Sequence, residues 1–295
     1  MNHRVVVGVD GSPPSLAAVD LAAREARLRN APLHLVYAYI WPYVDVPVGT
    51  SAVSRLGADL RSDAERIARE AAHRARAAAP TLTVTSEAVN GAPTATLLEQ
   101  SRTASLVVVG DRGLGGFTGL VLGSVAVQLA AHAACPVLIA RGHADAAGDV
   151  LLGVDGSSAS EPAVGFAFEE AALRGVALTA LHAWTAPVRA EPGDVLPMVY
   201  DAAIVEAEED RVLAEALAGW RDKYPDVPVR RRLVRGPTRR ALIGATRDAQ
   251  LVVVGSRGRG GFTGLLLGSV SQAVLHHANC PVAIVPDTRA AARSS

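Results

Sequence analysis

Two stretches of this 295-residue chain combine residue types and spacings that can hold an anion. One is Gly110-Asp111-Arg112-Gly113, followed after nine residues by Gly123-Ser124. The other is Gly255-Ser256-Arg257-Gly258, followed after nine residues by Gly268-Ser269. Glycines let backbone N–H groups approach a ligand closely, and a helix opening at Gly-Ser offers free N–H groups at the positive end of its dipole. Ser124 is placed to cap that helix. Two further segments, Gly8-Val9-Asp10-Gly11-Ser12 and Gly153-Val154-Asp155-Gly156-Ser157, end an apolar run with a carboxylate in a glycine turn. The chemistry implied is phosphate on the Gly-Ser loop, with Asp10 or Asp155 reaching a sugar hydroxyl or a metal ion. The plainer alternative is that the glycines only make tight turns and the aspartates cap helices.

These segments can meet only if strands deliver them to a common edge. In the first half, β-branched runs near 4–10, 32–39, 82–89, 106–110 and 136–140 alternate with Ala-rich, charge-studded runs over 15–29, 54–79, 93–103 and 124–134. Pro13, Pro14 and Pro93 stand where helices open. Val5-Val6-Val7 and Leu106-Val107-Val108-Val109 do not alternate, which predicts parallel strands covered on both faces. The pattern is that of an open, doubly wound α/β sheet, where ligands bind at the carboxyl ends of strands at the point of winding reversal. The second half repeats it, with strands near 149–155, 177–184, 229–235, 251–255 and 281–285.

The halves are one unit written twice. At an offset of 145 positions, segment 106–125 matches 251–270 in 17 of 20 residues, and Cys135-Pro136-Val137 recurs as Cys280-Pro281-Val282. A period this long is a duplicated domain rather than a solenoid repeat. The domains expected are 1–142 and 149–295, joined by the small, polar run Gly142-His143-Ala144-Asp145-Ala146-Ala147-Gly148.

Composition removes several classes of function. Lys plus Arg equals Asp plus Glu at 29 each, so there is no electrostatic footprint for nucleic acid or an anionic membrane. Hydrophobic residues make up 49% and aromatics only 4%, so the chain is globular with a core of Val, Leu, Ile and Ala. Lys223 is the sole lysine and follows no glycine turn, which excludes a P-loop and argues against Schiff-base catalysis. Two cysteines without a CxxC pair exclude a disulfide framework. With no signal-peptide pattern after Met1, a soluble, cytoplasmic protein is expected. The uncharged stretches 113–140 and 260–286 contain several Gly and a Cys-Pro, fitting loop, helix and strand rather than a membrane span. His132-x-x-Cys135 and His277-x-x-Cys280 supply too few ligands per domain for zinc. Gly113-x-Gly115 nearly opens a dinucleotide fingerprint, but the third glycine is displaced to Gly119 and the loop follows the fourth strand. No GxSxG elbow occurs.

The spacing Gly110-x-x-Gly113-(nine)-Gly123-Ser124, its copy in the second half, the Val-Asp-Gly-Ser turns and the closing Cys-Pro-Val strands resemble the ATP-binding universal stress proteins, as a tandem-domain member. The resemblance implies two open parallel five-stranded sheets of order 3-2-1-4-5 with helices on both faces, and ATP between strands 1 and 4. It implies that Gly8, Val9 and Asp10 line the adenosine side and that the Ala38 backbone meets adenine. Gly110, Arg112 and Gly113 would flank ribose and phosphates, and Gly123, Ser124, Val125 and Ala126 would hold the phosphates. The second set is Gly153, Val154, Asp155, Ala183, Gly255, Arg257, Gly258, Gly268, Ser269, Val270 and Ser271.

The two sites should differ. Asp111 and Leu114 correspond to Ser256 and Arg259, so the second loop carries Arg257 and Arg259 without a neighbouring acid. Tighter binding in the second half, by about 1–2 kcal/mol, is expected, unless Asp111 holds Mg²⁺. Ser271 in place of Ala126 adds a hydroxyl donor. The segments from Trp41 and from Trp184 are long and Pro-bearing, and either cover the nucleotide or cover core. No residue is a persuasive general base, so the expected function is an ATP-dependent stress-response regulator with ATP, and Mg with it, as ligand and little or no turnover. A slow Mg²⁺-ATPase and a nucleotide-independent dimerisation scaffold stay open. Pairing of the last strands, 136–140 and 281–285, would join domains within the chain or between chains, and a homodimer is expected.

Overall fold

A computed structural model describes residues 4–40, 50–114, 122–143, 147–185, 202–259 and 267–287, with side chains of the long second helix described from residue 59 onward. The segments after Trp41 and after Thr185, read above as covers, lie outside the described residues, as do the middles of both glycine loops, 115–121 and 260–266.

The first repeat runs β1 (Val5–Val9), α1 (Pro13–Leu28), β2 (Leu33–Tyr39), α2 (Thr50–Ala78), β3 (Val84–Asn90), α3 (Pro93–Ser101), β4 (Leu106–Gly110), α4 (Ser124–His132) and β5 (Val137–Ala140). The second runs β6 (Asp149–Gly153), α5 (Glu161–Arg174), β7 (Leu178–Trp184), α6 (Ala202–Lys223), β8 (Val229–Arg235), α7 (Thr238–Ala245), β9 (Ala249–Gly255), α8 (Ser269–His277) and β10 (Val282–Val285).

The chain divides into two compact units, Met1–Ala144 with Pro281–Pro286, and Asp145–Cys280 with Asp287–Ser295. In the first, the parallel order is β3-β2-β1-β4-β5, and β10 lies antiparallel on β5 with Val282 opposite Ile139. The pairing of last strands is thus made within one chain. In the second unit the parallel order β8-β7-β6-β9 repeats the same winding. Because β1 has β2 on one side and β4 on the other, the chain winds away in both directions from it. The crevice this opens at the carboxyl ends of β1 and β4, and of β6 and β9, is where the Asp and glycine loops emerge.

The strands form as their composition requires. Val5, Val6, Val7, Leu106, Val107 and Val108 are fully buried, as are Leu152, Val252 and Val253 in the second repeat. Ser12 caps α1, its Oγ accepting from the Ser15 N–H at 3.3 Å, and Pro13 and Pro14 take the first helical positions where no N–H acceptor exists. The helix therefore begins two residues before the expected 15. In the second repeat a 3-10 turn, Ser158–Ser160, precedes α5, which Gly175 ends in the left-handed conformation at φ 64°. The third strand starts at Val84 rather than 82 because the Leu82 N–H is turned back onto the Ala79 carbonyl. No described helix is long and apolar enough to cross a membrane.

Candidate functional site

The turn after β1 is built on one carboxylate. The Ser12 N–H and hydroxyl donate to Asp10 Oδ1 at 2.9 and 2.6 Å, and the Leu114 N–H donates to Oδ2 at 2.8 Å. The second repeat copies this: Ser157 N–H and hydroxyl reach Asp155 Oδ1 at 2.9 and 2.7 Å, and the Arg259 N–H reaches Oδ2 at 2.7 Å. Each aspartate clamps the loop after the first strand to the loop after the fourth. Burial pushes the Asp10 carboxyl up, but the hydrogen bonds from Ser12 and Leu114 outweigh it and leave the group below its ordinary 3.8. Asp155 is lowered by the same balance, with Ser157 and Arg259 as donors. The clamp dictates glycine opposite it, since a Cβ at Gly113 or Gly258 would fall on the Oδ2 of Asp10 or Asp155.

The loops lead to two helix N-termini that no side chain caps. Here the expectation for Ser124 is corrected. Gly123 takes the capping position at φ −76° and ψ 147°, its N–H bonded to the Asp111 carbonyl, and Ser124 is the first helical residue. Gly268 does the same in the second repeat, its N–H bonded to the Ser256 carbonyl. The N–H groups of Ser124, Val125 and Ala126, and of Ser269, Val270 and Ser271, have no acceptor among the described residues. A helix terminus without partners is an anion site in waiting. Ser271 is likewise corrected as a hydroxyl donor to ligand: its buried Oγ donates to the Gly255 carbonyl at 2.6 Å, leaving only its main-chain N–H.

In the second repeat a cavity of about 700 Å³ opens at this edge, and all eleven second-set residues line it, from Gly153 to Ser271. Residues that sequence reasoning missed complete the wall, notably His182, Glu209 and Thr238, together with Trp184 from the start of a segment read above as a cover. His182 Nδ1 lies 2.7 Å from the Val154 carbonyl oxygen and Nε2 lies 2.7 Å from Glu209 Oε2. No spacing could have revealed that pair, because it joins a strand to a helix across 27 residues. The first set is brought together by the same elements: Gly8 and Val9 end β1, Ala38 lies near the end of β2, Gly110 ends β4, and Arg112 and Gly113 follow it. Tyr37 replaces His182 there, its phenol raised by burial and by the nearby Asp10 and Asp63 carboxylates.

Charge separates the two loops. Arg112 Nε is 3.8 Å from Asp111 Oδ1, a screened pair that offsets its charge. In the second loop Ser256 is buried, Arg257 lines the cavity, and Arg259 folds over the neighbouring turn, where a Cβ on Gly156 would come within 2.6 Å of its Nη2. The described residues contain no cluster of His, Cys, Asp and Glu suited to a metal ion. His132 closes α4, and Cys135 is buried with its thiol pushed up to about 12 by desolvation, a packing residue rather than a reactive one.

A profile of the universal stress protein family matches residues 1–141 and 148–286. A universal stress protein of Mycobacterium tuberculosis is 43% identical over 297 residues, covering 96% of each chain. One from Mycolicibacterium smegmatis is 42% identical over 291 residues, covering 96% of this chain and 97% of its own. The solved structure of a universal stress protein from Archaeoglobus fulgidus superposes with a TM-score of 0.71 at 19% identity, over 97% of this chain and 99% of that one, a likeness of fold.

Proposed function

The chain belongs to the universal stress protein family, and on that premise we propose that each repeat, 1–142 and 149–295, binds ATP and that the protein acts as a nucleotide-dependent regulator of the stress response. The observation that carries this reading is a cavity of about 700 Å³ in the second repeat whose wall joins the uncapped N-terminus of α8, the Gly258 loop and the end of β6. Its volume is that of a small-molecule site, with few polar groups on a largely apolar wall. The N–H groups of Ser269, Val270 and Ser271 would hold phosphate, with Arg257 beside them, and Ala183 would meet the base. Ser124, Val125, Ala126, Arg112 and Ala38 take these parts in the first repeat. Magnesium would arrive with the nucleotide.

Turnover needs a group that orients or deprotonates water near the terminal phosphate. Asp10 and Asp155 are the acids common to the two sites, and both oxygens of each already hold the loops together. Glu209 of the second site pairs with His182 of β7, across β6 from β9 and the α8 N-terminus. Little or no hydrolysis is the consequence. Binding then acts by selecting one arrangement of the clamped loops for a partner to recognise. A scaffold working without nucleotide, its strands joined within the chain through the β5–β10 pairing, is the second reading. Thermal melts in ATP and Mg²⁺ separate the two, since ligand at a hundred times its Kd stabilises the folded state by about 2.7 kcal/mol per site and a scaffold gains nothing.

A further inference from the structure

The His182–Glu209 pair has chemistry that phosphate binding does not use. A carbonyl oxygen only accepts, so His182 Nδ1, 2.7 Å from the Val154 oxygen, carries a proton. The contact from Nε2 to Glu209 Oε2 at 2.7 Å then shares a further proton between imidazole and carboxylate, whichever of them holds it. The imidazole is buried, with a side chain 5% exposed, so Glu209 is gripped by a fixed partner. Its own side chain is 24% exposed, both residues line the cavity, and no described residue bonds Glu209 Oε1. One carboxylate oxygen is thus held while the other remains available as an acceptor in the cavity wall.

Topology says which part of a ligand that acceptor meets. In the order β8-β7-β6-β9, His182 rises from β7 on one side of β6, whereas Arg257 and the uncapped N-terminus of α8 follow β9 on the other. A carboxylate among phosphates would repel them, and at the opposite end of the crevice it faces the part that carries N–H and O–H donors. We propose that Glu209, positioned by His182, is the residue with which the second site selects its ligand, by accepting a hydrogen bond from the nucleoside amine or a sugar hydroxyl. Among the described residues the first site has no such imidazole–carboxylate pair. Position 37 is tyrosine, and position 64, which corresponds to Glu209 at the repeat offset, is a buried alanine. Asp63 beside it is turned to Arg66 at 3.4 Å.

The inference rests on the nucleotide reading and deepens it. The full chain is titrated with ATP, with ITP, whose base has a carbonyl in place of the amine, and with 2′-deoxy- and 3′-deoxy-ATP, as wild type, Glu209→Ala and His182→Phe. In the wild type, one class of site should bind one analogue about tenfold or more weakly than ATP, the scale set when a buried acceptor loses its donor. Glu209→Ala should weaken ATP by about the same factor yet leave that analogue unchanged, and His182→Phe should show the same selectivity loss. Equal weakening of all four nucleotides, or no discrimination in the wild type, overturns the role of Glu209 and leaves ATP binding standing. Failure of the wild type to take up ATP overturns both.

Discussion

At the scale of single residues, the clamp made by Asp10 and Asp155 governs the site more than any group aimed at a ligand. Replacing Gly113 or Gly258 by alanine places a methyl on the carboxylate oxygen, so each variant should lose about 1–3 kcal/mol of stability and ATP affinity in that repeat alone. Denaturant unfolding and a titration of each variant check this. The clamps also set an acid limit. Both carboxyls lie below 3.8 in the folded chain, so their stabilisation is complete above that value and fades as pH falls below it. Asp10→Asn should therefore lower stability at neutral pH and flatten its decline on acidification, measured by thermal melts between about pH 3 and 7. The aspartates and glycines were legible from their types and spacing, which point the aspartates at a sugar hydroxyl, a metal ion or a helix cap rather than at a clamp between loops. Their partners were not, because the Leu114 and Arg259 N–H groups reach them only after two strands lie side by side. For the same reason Ser124 reads as a cap in sequence although Gly123 occupies that place.

At the scale of elements, the inner strands were legible because buried parallel strands have unbroken apolar runs, whereas the outer β3 and β8 are polar and half-buried or exposed along most of their length. Helices α1 and α3 were legible because proline marks their first turn. The match between helices was not legible, since the repeats solve it differently. Arg74 on α2 grips Asp20 on α1 at 2.6 Å, whereas Gly165 on α5 makes room for Trp220 of α6, which stacks with Phe168 and Tyr224. Gly165→Ala should displace that ring and cost about 1–3 kcal/mol, seen as a lower melting temperature and a weakened near-UV aromatic signal. The helix that opens the site allows a sharper test. Gly268 has φ −63° and ψ 148°, and a Cβ there meets its neighbours at an ordinary 3.5 Å, so neither backbone nor packing requires glycine. Gly268→Asp would cap α8 and put a carboxylate where phosphate is to sit. The fold should be unharmed or slightly firmer, by a few tenths of a kcal/mol, while ATP binding in the second repeat is lost.

At the scale of the molecule, duplication has produced two crevices that share a frame and differ in chemistry: Asp111 beside Arg112 and Tyr37 in one, Ser256, Arg257 and the His182–Glu209 pair in the other. The edge of β5 is taken by β10 of the same chain, so a homodimer has to use another surface. The central claim, that ATP occupies the crevice between the first and fourth strands of each repeat, is tested most directly by calorimetric titration of the full nucleotide-free chain with ATP and Mg²⁺, alongside Gly268→Asp. Two sites per chain are predicted, the tighter by about 1–2 kcal/mol and removed by that substitution. Absence of binding heat at several temperatures together with an unchanged melting temperature, or two classes of site that both survive Gly268→Asp, would contradict the account.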